Sequence, residues 1–453
     1  MGMAGSASTS RRAFMSQMAG TASLALATKA SAAVSVAEIG AGHAPDDQSY
    51  WRWVSEQFLI DPNIAYMNTG TRGPSPASVI QAQFEAIKGY DRDRLSYVRY
   101  VANSEAKENL RARLAEFVGC NANELAITTN TTEGMSIGTS GLDLKAGDEI
   151  IYTNHDHSSG GQPINLRAAR HGIVPVVVDL SSDKFHPPNR PDTILAAFEG
   201  AITPRTKLIS FCHVNYTDGC VLPVKEICAM ARAKGILTLV DGAHPPGMMN
   251  LDIHDLGCDI YAGAGHKWLC AAMQTGFLFV RESLLDRVWP LNYSGPVQGM
   301  SMYRQAASPG SSLDRSRMAA KYELHGSGNY ATEASLSAAL DFHETLTIDA
   351  IEARVRHMAA RARDGLREIP GVQLCVSDDP AMSCGLVSFK VGDVDPIEVN
   401  DALWDRHGIY IRDVTHPEID WAANRASLHI MVHDEDVENL IGAVAEVAKE
   451  KGV

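Results

Sequence analysis

The chain has 453 residues, of which 45% are hydrophobic and 21% are charged, and its formal net charge is −14. This length is more than one compact core usually holds, so two domains are expected. The acidic balance argues against nucleic acid as the main partner, because phosphate binding requires a basic face. The eight cysteines are scattered without a C-x2-C pair, which indicates neither a zinc site nor a disulfide framework.

The first 33 residues differ from the rest of the chain. Two adjacent arginines, Arg11 and Arg12, precede a mildly apolar, Ala-rich stretch at 18–28 and a small-x-small cleavage site that ends at Ala32. This layout is typical of a twin-arginine (Tat) export signal, although a disordered tail with a chance arginine pair would look similar. We expect cleavage near Ala32, recognition by the Tat machinery and a periplasmic location. No other window approaches the ~20 apolar residues of a membrane span.

Residues 34–65 are predicted to form a linker and N-terminal segment, and residues 76–90 and 104–118 show helical spacing. Short apolar runs then alternate with helical segments from about 120 to 290. The predicted strands are 125–128, 149–152, 174–178, 207–211, 237–240, 260–263 and 276–280, and the predicted helices are 132–142, 162–171, 194–201 and 224–234. This alternation predicts an α/β fold with a mostly parallel sheet, in which ligands bind beyond the carboxyl ends of the strands.

The C-terminal part has a different pattern. Two long helices are predicted at 334–345 and 351–369, and after them strands at 385–390, 408–412 and 427–432, a helix at 396–407 and a last helix from Asp434. We therefore expect a signal peptide at 1–33, a large domain at 66–325 and a smaller α+β domain at 326–453.

Two residues at predicted strand ends indicate the chemistry. Asp241 ends an apolar run, and Lys267 follows a Gly-x-Gly-His sequence 26 positions later. A buried carboxylate is costly without a partner. The pair could serve one molecule of pyridoxal 5′-phosphate (PLP), since the lysine amine forms an imine with its aldehyde and the carboxylate holds its pyridine nitrogen protonated.

Two further segments fit the same cofactor. Thr131 and Thr132 lie between a strand and a helix, where hydroxyls and backbone amides suit a phosphate, although such a threonine is often only a helix cap. His157 follows another strand and could stack on the pyridine ring. A metal bound by His155 and His157 is the alternative, but no third ligand has suitable spacing.

These residues resemble the class V aminotransferase group of fold-type I PLP enzymes, which includes cysteine desulfurases and isopenicillin N epimerase. The resemblance extends from about Tyr66 to the C-terminus. Its motifs are Thr131-Thr132-Glu133-Gly134, Asp156-His157-x-Ser159, His213-Val214 with Gly219 and Leu222-Pro223-Val224, Asp241-Gly-Ala-His244 and Gly265-His266-Lys267. Ala264 and Tyr216 depart from the desulfurase pattern, in which a hydroxyl residue and an asparagine are usual.

The resemblance implies a role for each site residue. Lys267 would be the catalytic lysine that forms the Schiff base, and Asp241 would bind the pyridinium. His157 would stack on the ring, and His244 would approach the phenolic oxygen. Thr131, Thr132 and His266 would hold the phosphate, Arg425 would bind the substrate carboxylate, and the neighbouring subunit of a homodimer would offer Ser327.

The sequence argues against one reaction of this family but does not identify a single reaction. No cysteine lies between 409 and 424, where a desulfurase needs its nucleophile, so desulfurase activity is not expected. The spacing resembles isopenicillin N epimerase most, which implies epimerase or aminotransferase chemistry at Cα of an amino acid or peptide-borne amino acid. Tyr216, His157 and His244 are candidates for a second acid or base. The alternatives are a C–S lyase, a periplasmic siderophore-tailoring enzyme, whose Tat-signal layout this chain also resembles, and a non-catalytic binding module.

Overall fold

The computed structural model describes residues 43–93, 105–181, 190–292, 318–323 and 328–453. All of them belong to one unit that begins at Gly42. The predicted export signal and Ser327 lie outside the described residues.

The strands follow one another in two groups, first those of a central sheet and then those of a C-terminal sheet. In chain order they are β1 (Ala65–Tyr66), β2 (Leu125–Thr128), β3 (Glu149–Thr153), β4 (Val174–Val178), β5 (Thr206–Cys212), β6 (Leu237–Gly242), β7 (Ile260–Ala264), β8 (Gly276–Val280), β9 (Val372–Leu374), β10 (Leu386–Val391), β11 (Ile409–Tyr410), β12 (Arg412–His416) and β13 (Trp421–Ser427).

The helices alternate with these strands. In chain order they are α1 (Gln48–Ser55), α2 (Ala77–Arg92), α3 (Glu105–Phe117), α4 (Thr131–Ser140), α5 (Ser158–His171), α6 (Pro191–Ala201), α7 (Val224–Ala233), α8 (Ile253–Leu256), α9 (Tyr330–Leu346), α10 (Ile348–Arg367), α11 (Pro396–His407) and α12 (Asp434–Lys451).

The central sheet has the strand order β2-β8-β7-β6-β5-β3-β4, and only β8 runs antiparallel to its neighbours. Its inner strands are buried at nearly every position, as expected for strands with helices on both faces. Separate apolar cores lie against its two faces. The predicted α/β class with a mostly parallel sheet is therefore confirmed.

Amphipathic spacing explains how the helices cover this sheet. In α7, for example, the buried residues Val224, Ile227, Cys228 and Ala231 follow the i, i+3, i+4, i+7 pattern of one helical face. The helix ends where Gly235 takes a left-handed conformation with φ of +70°, which residues with a Cβ rarely adopt.

The C-terminal sheet is antiparallel, with the order β12-β13-β10-β9. It shares an apolar core with α10, α11 and α12. The short strands β1 and β11 pair in parallel and join the start of the described chain to this region. Because of this pairing, the turn that follows β1 runs close to the C-terminal sheet.

One predicted strand is wrong. Residues 427–432 were expected to form a strand because they are apolar, but β13 ends at Ser427 and the following residues form no ladder. The apolar run is buried in a turn instead, where the Leu428 N–H donates to the Gly385 carbonyl at 2.8 Å. The strand β12 was missed because its sequence is polar and lacks the apolar run from which the strands were predicted.

Every helix in the described ranges is too short or too polar to cross a bilayer.

Candidate active site

The candidate site lies at one edge of the central sheet, where neighbouring strands end. Asp241 lies near the end of β6, opposite Cys212 in β5 and Ala262 in β7. Lys267 follows β7 by three residues, and α4 begins three residues after β2. The topology therefore brings together residues that the sequence placed at separate strand ends.

A cavity of about 410 Å³ opens at this edge. Its volume is within the usual range for small-molecule and cofactor sites. It is lined by Gly70, Thr71, Asn130, Thr131, Thr132, His157, Ser159, Tyr216, Ala243, His266, Lys267, Met273, Gln274, Arg412, Asp413, Val414, Thr415 and Arg425. Six of the predicted site residues thus face one space: Lys267, His266, His157, Thr131, Thr132 and Arg425.

Lys267 presents its amine to this cavity. Removal from water lowers its pKa to about 8, although the Asp241 carboxylate acts in the opposite direction. Among the described residues, none forms a hydrogen bond or ion pair with its Nζ. The amine is therefore less basic than an ordinary lysine and free to react.

Asp241 lies just behind the lining residues and is only 3% exposed. The Ala243 N–H donates to its Oδ1 at 3.0 Å, and the Ser159 hydroxyl donates to its Oδ2 at 3.3 Å. Neither donor is charged, and within the described ranges Asp241 has no salt bridge. The site therefore holds a buried carboxylate without a salt-bridge partner among the described residues, and a protonated ring nitrogen of a ligand would provide one.

The start of α4 provides donors for an anion. Asn130 caps the helix by accepting the Glu133 N–H at 2.9 Å, which leaves the first amides of the helix directed outwards. The Thr131 hydroxyl is buried and has no hydrogen-bond partner among the described residues. Thr132 is exposed on the cavity wall. A phosphate here would satisfy these donors.

The three predicted histidines differ in position. His157 faces the cavity at the start of α5, where its Nδ1 accepts the Ser159 N–H at 3.2 Å. His266 also faces the cavity, and its Nδ1 donates to the Thr275 carbonyl at 3.1 Å. Desolvation and the nearby Lys267 charge lower the pKa of His157. His244 does not line the cavity, because it is buried beneath it against Trp268.

Arg425 reaches the cavity from β13. Its Nη1 donates to the Tyr216 carbonyl at 2.6 Å and its Nη2 to the Thr71 hydroxyl at 3.3 Å, while its buried Nε has no partner in the described part of the chain. Burial and the charge of Arg412 lower the pKa of Arg425 to about 10. Both of its acceptors are neutral, so its charge is available to a substrate anion.

Sequence reasoning assigned no role to Thr71, Arg412 or Ser159. Thr71 follows Gly70, which packs closely against Arg425. A Cβ atom at position 70 would lie 3.0 Å from the Arg425 Nη2. At Gly73 a Cβ would clash with the Lys267 carbonyl oxygen at 1.8 Å. The Gly-rich turn after β1 was a usable signal, since glycines often mark close backbone approach.

The arrangement fits PLP at three points. The unpaired Thr131 hydroxyl and the α4 amides match its phosphate, the Asp241 carboxylate matches its pyridinium, and the Lys267 amine matches its aldehyde. In the described residues, no group of three His, Cys, Asp or Glu side chains has the geometry of a metal site. The two histidines of the metal alternative are held separately, since His155 is buried and bonds to Thr217 at 2.6 Å.

The chain belongs to the class V aminotransferase family, whose model, described as "Aminotransferase class-V", matches residues 70–440. It is 31% identical over 402 residues to isopenicillin N epimerase of Streptomyces clavuligerus, covering 87% of this chain and 97% of that protein. A probable cysteine desulfurase of Methanothermobacter thermautotrophicus is 27% identical over 395 residues, covering 84% and 94%.

A solved structure gives a similar result. The protein C-DES, in a mutant form with glycine covalently linked to its PLP cofactor, superimposes with a TM-score of 0.75 at 25% identity, covering 86% of this chain and 98% of that one. In another structure C-DES is called a cystine C–S lyase and binds cysteine persulfide. The predicted family, the fold-type I class and the assignment as an enzyme are confirmed, and so is PLP as the cofactor.

Proposed function

We propose that this PLP-dependent enzyme acts at Cα and the amino group of an amino acid or peptide-borne amino acid, as an epimerase or aminotransferase most like isopenicillin N epimerase. The observation that carries the proposal is that Lys267 and Arg425 line one cavity, while the buried Asp241 carboxylate is hydrogen-bonded to the lining residues Ser159 and Ala243. Bound PLP supplies an electron sink that stabilises negative charge at Cα. The protein has to bind the substrate, orient it and move its proton.

Each of these tasks has a residue. Arg425 offers a planar, bidentate guanidinium to the α-carboxylate, and its position is fixed by Thr71 and the Tyr216 carbonyl. The amine of Lys267, with its lowered pKa, takes or returns a proton at Cα on the face that it approaches. The Asp241 carboxylate keeps the cofactor's ring nitrogen protonated.

An epimerase also needs a proton donor on the other face. Of the three candidates from the sequence, Tyr216 and His157 line the cavity and lie in edge-to-face contact with ring centroids 5.1 Å apart. His244 lies beneath the lining. We propose Tyr216 as the second acid, because His157 is expected to stack on the cofactor and Tyr216 lies beside the carboxylate-binding Arg425.

A C–S lyase is the second candidate function, and the similarity to C-DES favours it. A cysteine desulfurase is less well supported. No cysteine is among the described residues that line the cavity, and burial raises the pKa of Cys270, the thiol three residues after Lys267. A thiol with a raised pKa is a poor nucleophile.

We propose Tat-dependent export to the periplasm, on the basis of Arg11, Arg12 and the cleavage site near Ala32. Folded proteins are the cargo of this route, which suits an enzyme that must acquire its cofactor inside the cell. A peptide siderophore in the periplasm is one substrate class consistent with this location. Replacing both arginines by lysine should keep the protein in the cytoplasmic fraction. Continued export of that variant would contradict the proposal.

We also propose a homodimer in which Ser327 of one subunit reaches the other subunit's phosphate site. Exposed apolar residues on α2 support a second copy as the partner, because Ile80, Phe84 and Ile87 recur on one helical face and are 44–54% exposed. Sedimentation of the mature protein should give twice the chain mass, and replacing Phe84 by serine should weaken the association. A monomer at micromolar concentration would refute this assignment.

The test of the proposed function is an absorption spectrum of the mature protein and of Lys267→Ala, before and after addition of L- and D-amino acids. We expect a visible PLP band that is altered in the variant and shifts when an amino acid binds to the wild type. Exchange of the Cα hydrogen in D2O would support chemistry at Cα, and pyruvate formed from cysteine would support the lyase. No band after reconstitution with PLP would overturn the proposal.

A further inference from the structure

Two arginines face each other across the wall of the cavity. Arg412 in β12 and Arg425 in β13 are direct partners in the antiparallel register, so their side chains lie on the same face of the sheet. Both line the cavity. Directly opposite residues have Cβ atoms about 4.5–5.5 Å apart, and like charges at that position are destabilising. The pairing places two positive charges at the cavity wall, where a bound anion would interact favourably with both.

Neither guanidinium has an acidic partner within the described part of the protein. Arg425 donates only to a carbonyl and a hydroxyl, and Arg412 forms no hydrogen bond or ion pair with any described residue. The buried arginines elsewhere differ in this respect, since Arg111 pairs with Glu323 and Arg354 with Asp434. Among the buried arginines of the described residues, Arg425 alone thus lacks an acidic partner.

The one carboxylate among the described lining residues does not neutralise this pair. Asp413 follows Arg412 directly, so its side chain points to the opposite face of β12. Its Oδ1 lies 3.5 Å from the Asn400 Nδ2 on α11. The effect of the Arg412 charge on Arg425 is visible in the lowered pKa of the latter. A bound anion would relieve this repulsion.

We infer that Arg412 is a specificity-determining residue that binds a second carboxylate of the substrate, while Arg425 binds the first. The substrate class is an amino acid unit with a carboxylate at the end of its side chain. This inference rests on the proposed function for the identity of the site, but the charge pair itself can be tested without any reaction. The exposed position of Arg412 suits the distal end of a substrate that enters from solvent.

The test is calorimetry of the PLP-loaded protein with succinate, glutarate and adipate, each compared with its monoamide. In wild type, at least one diacid should bind about tenfold or more tightly than its monoamide, because a second charge-assisted pair is formed. Arg412→Gln should remove this advantage, and Arg412→Lys should restore part of it. Arg170→Gln, which removes an exposed charge on α5 away from the cavity, should retain it.

Two outcomes would overturn the inference: no diacid is preferred over its monoamide in wild type, or the preference survives in Arg412→Gln. The proposed function and the role of Arg412 can fail independently of each other. If the diacid preference is present but no amino acid changes the visible spectrum, the anion site stands and the reaction at Cα does not. If amino acids change the spectrum but acids and amides bind equally, the reaction stands and the role of Arg412 does not.

Discussion

The indole N–H of Trp268 donates a hydrogen bond to Nδ1 of His244 across 3.1 Å. Because Nδ1 accepts, the ring proton of the neutral histidine must be on Nε2. Burial and the charge of Lys267 lower the pKa of His244 well below its usual value, so the ring stays neutral. Trp268 follows Lys267 in the chain. Lys267 lines the cavity, whereas Trp268 fixes the position of the proton on the buried His244 ring.

Removing this hydrogen bond should change the electrostatics of the cofactor site. In Trp268→Phe the His244 ring is free to change tautomer, so we expect the pH titration of the visible PLP band to shift and turnover to fall about tenfold. Trp289→Phe is the matched control, because the Trp289 indole donates to Asp143 at the surface. An unchanged titration in Trp268→Phe would show that the tautomer does not matter.

Loading of PLP should depend on the protonation of Lys267. Only the neutral amine attacks the aldehyde, so the rate of uptake by the cofactor-free protein should rise with pH through the pKa of about 8. Asp241→Asn removes the charge that raises this pKa, and the midpoint should move to lower pH. Stopped-flow absorbance measures the rate. Asp413→Asn should leave the midpoint in place, and a midpoint near 10 in wild type would contradict the assignment.

Two threonines of α4 allow a test of the phosphate site. The hydroxyls of Thr131 and Thr139 are both buried without partners among the described residues, but only Thr131 lines the cavity. Thr131→Val should weaken PLP binding about tenfold, since one hydrogen bond to a charged group is lost. Thr139→Val should not affect it. Equal effects of the two substitutions on the PLP dissociation constant would argue against a phosphate at Thr131.

Buried histidines should make the fold sensitive to acid. His343 and His429 are fully buried with Nε2 3.2 and 2.9 Å from the Trp268 carbonyl, and burial lowers their pKa values to about 4 and about 3. An unfolded histidine binds its proton near pH 6.5. The unfolded state therefore gains protons first, and the stability present above pH 6.5 is lost as the pH falls towards 4.

The loss attributable to His343 is about 3 kcal/mol over that range. Thermal unfolding between pH 7 and pH 4 should show a shallower decline in His343→Gln than in wild type, even if that variant is less stable at pH 7. His171→Gln changes an exposed histidine and should keep the wild-type slope. Parallel pH profiles for wild type and His343→Gln would refute the prediction.

The sequence predicted those parts of the site that are local in the chain. Asp241 and Lys267 each follow an apolar run, and a parallel sheet necessarily brings such strand ends to one edge. Thr71 and Arg412 could not be found in this way, because their place in the cavity depends on the pairing of β1 with β11 and of β12 with β13. The composition and periodicity of a segment do not indicate which distant segment it pairs with, or in which register.

The wrong strand prediction has a related cause. Residues 428–432 are as apolar as a strand, but their burial comes from packing in a turn, and apolar runs do not distinguish these two environments. The role of His244 is a separate matter, since its bond to Trp268 is compatible with the predicted approach to the cofactor and does not test it. The roles assigned to the site residues by resemblance remain predictions.

The cavity draws its lining from residues between Gly70 and Arg425, and most of the chain must be synthesised before the last of them emerges from the ribosome. A nascent chain that already carries Lys267 still lacks β12 and β13, so it offers the lysine without the guanidinium groups that complete the wall. Completion of the substrate-binding wall is thus a late event in biogenesis, since Lys267, Asp241 and Thr131 are all synthesised before it. Binding of a substrate anion would report that the C-terminal sheet has docked.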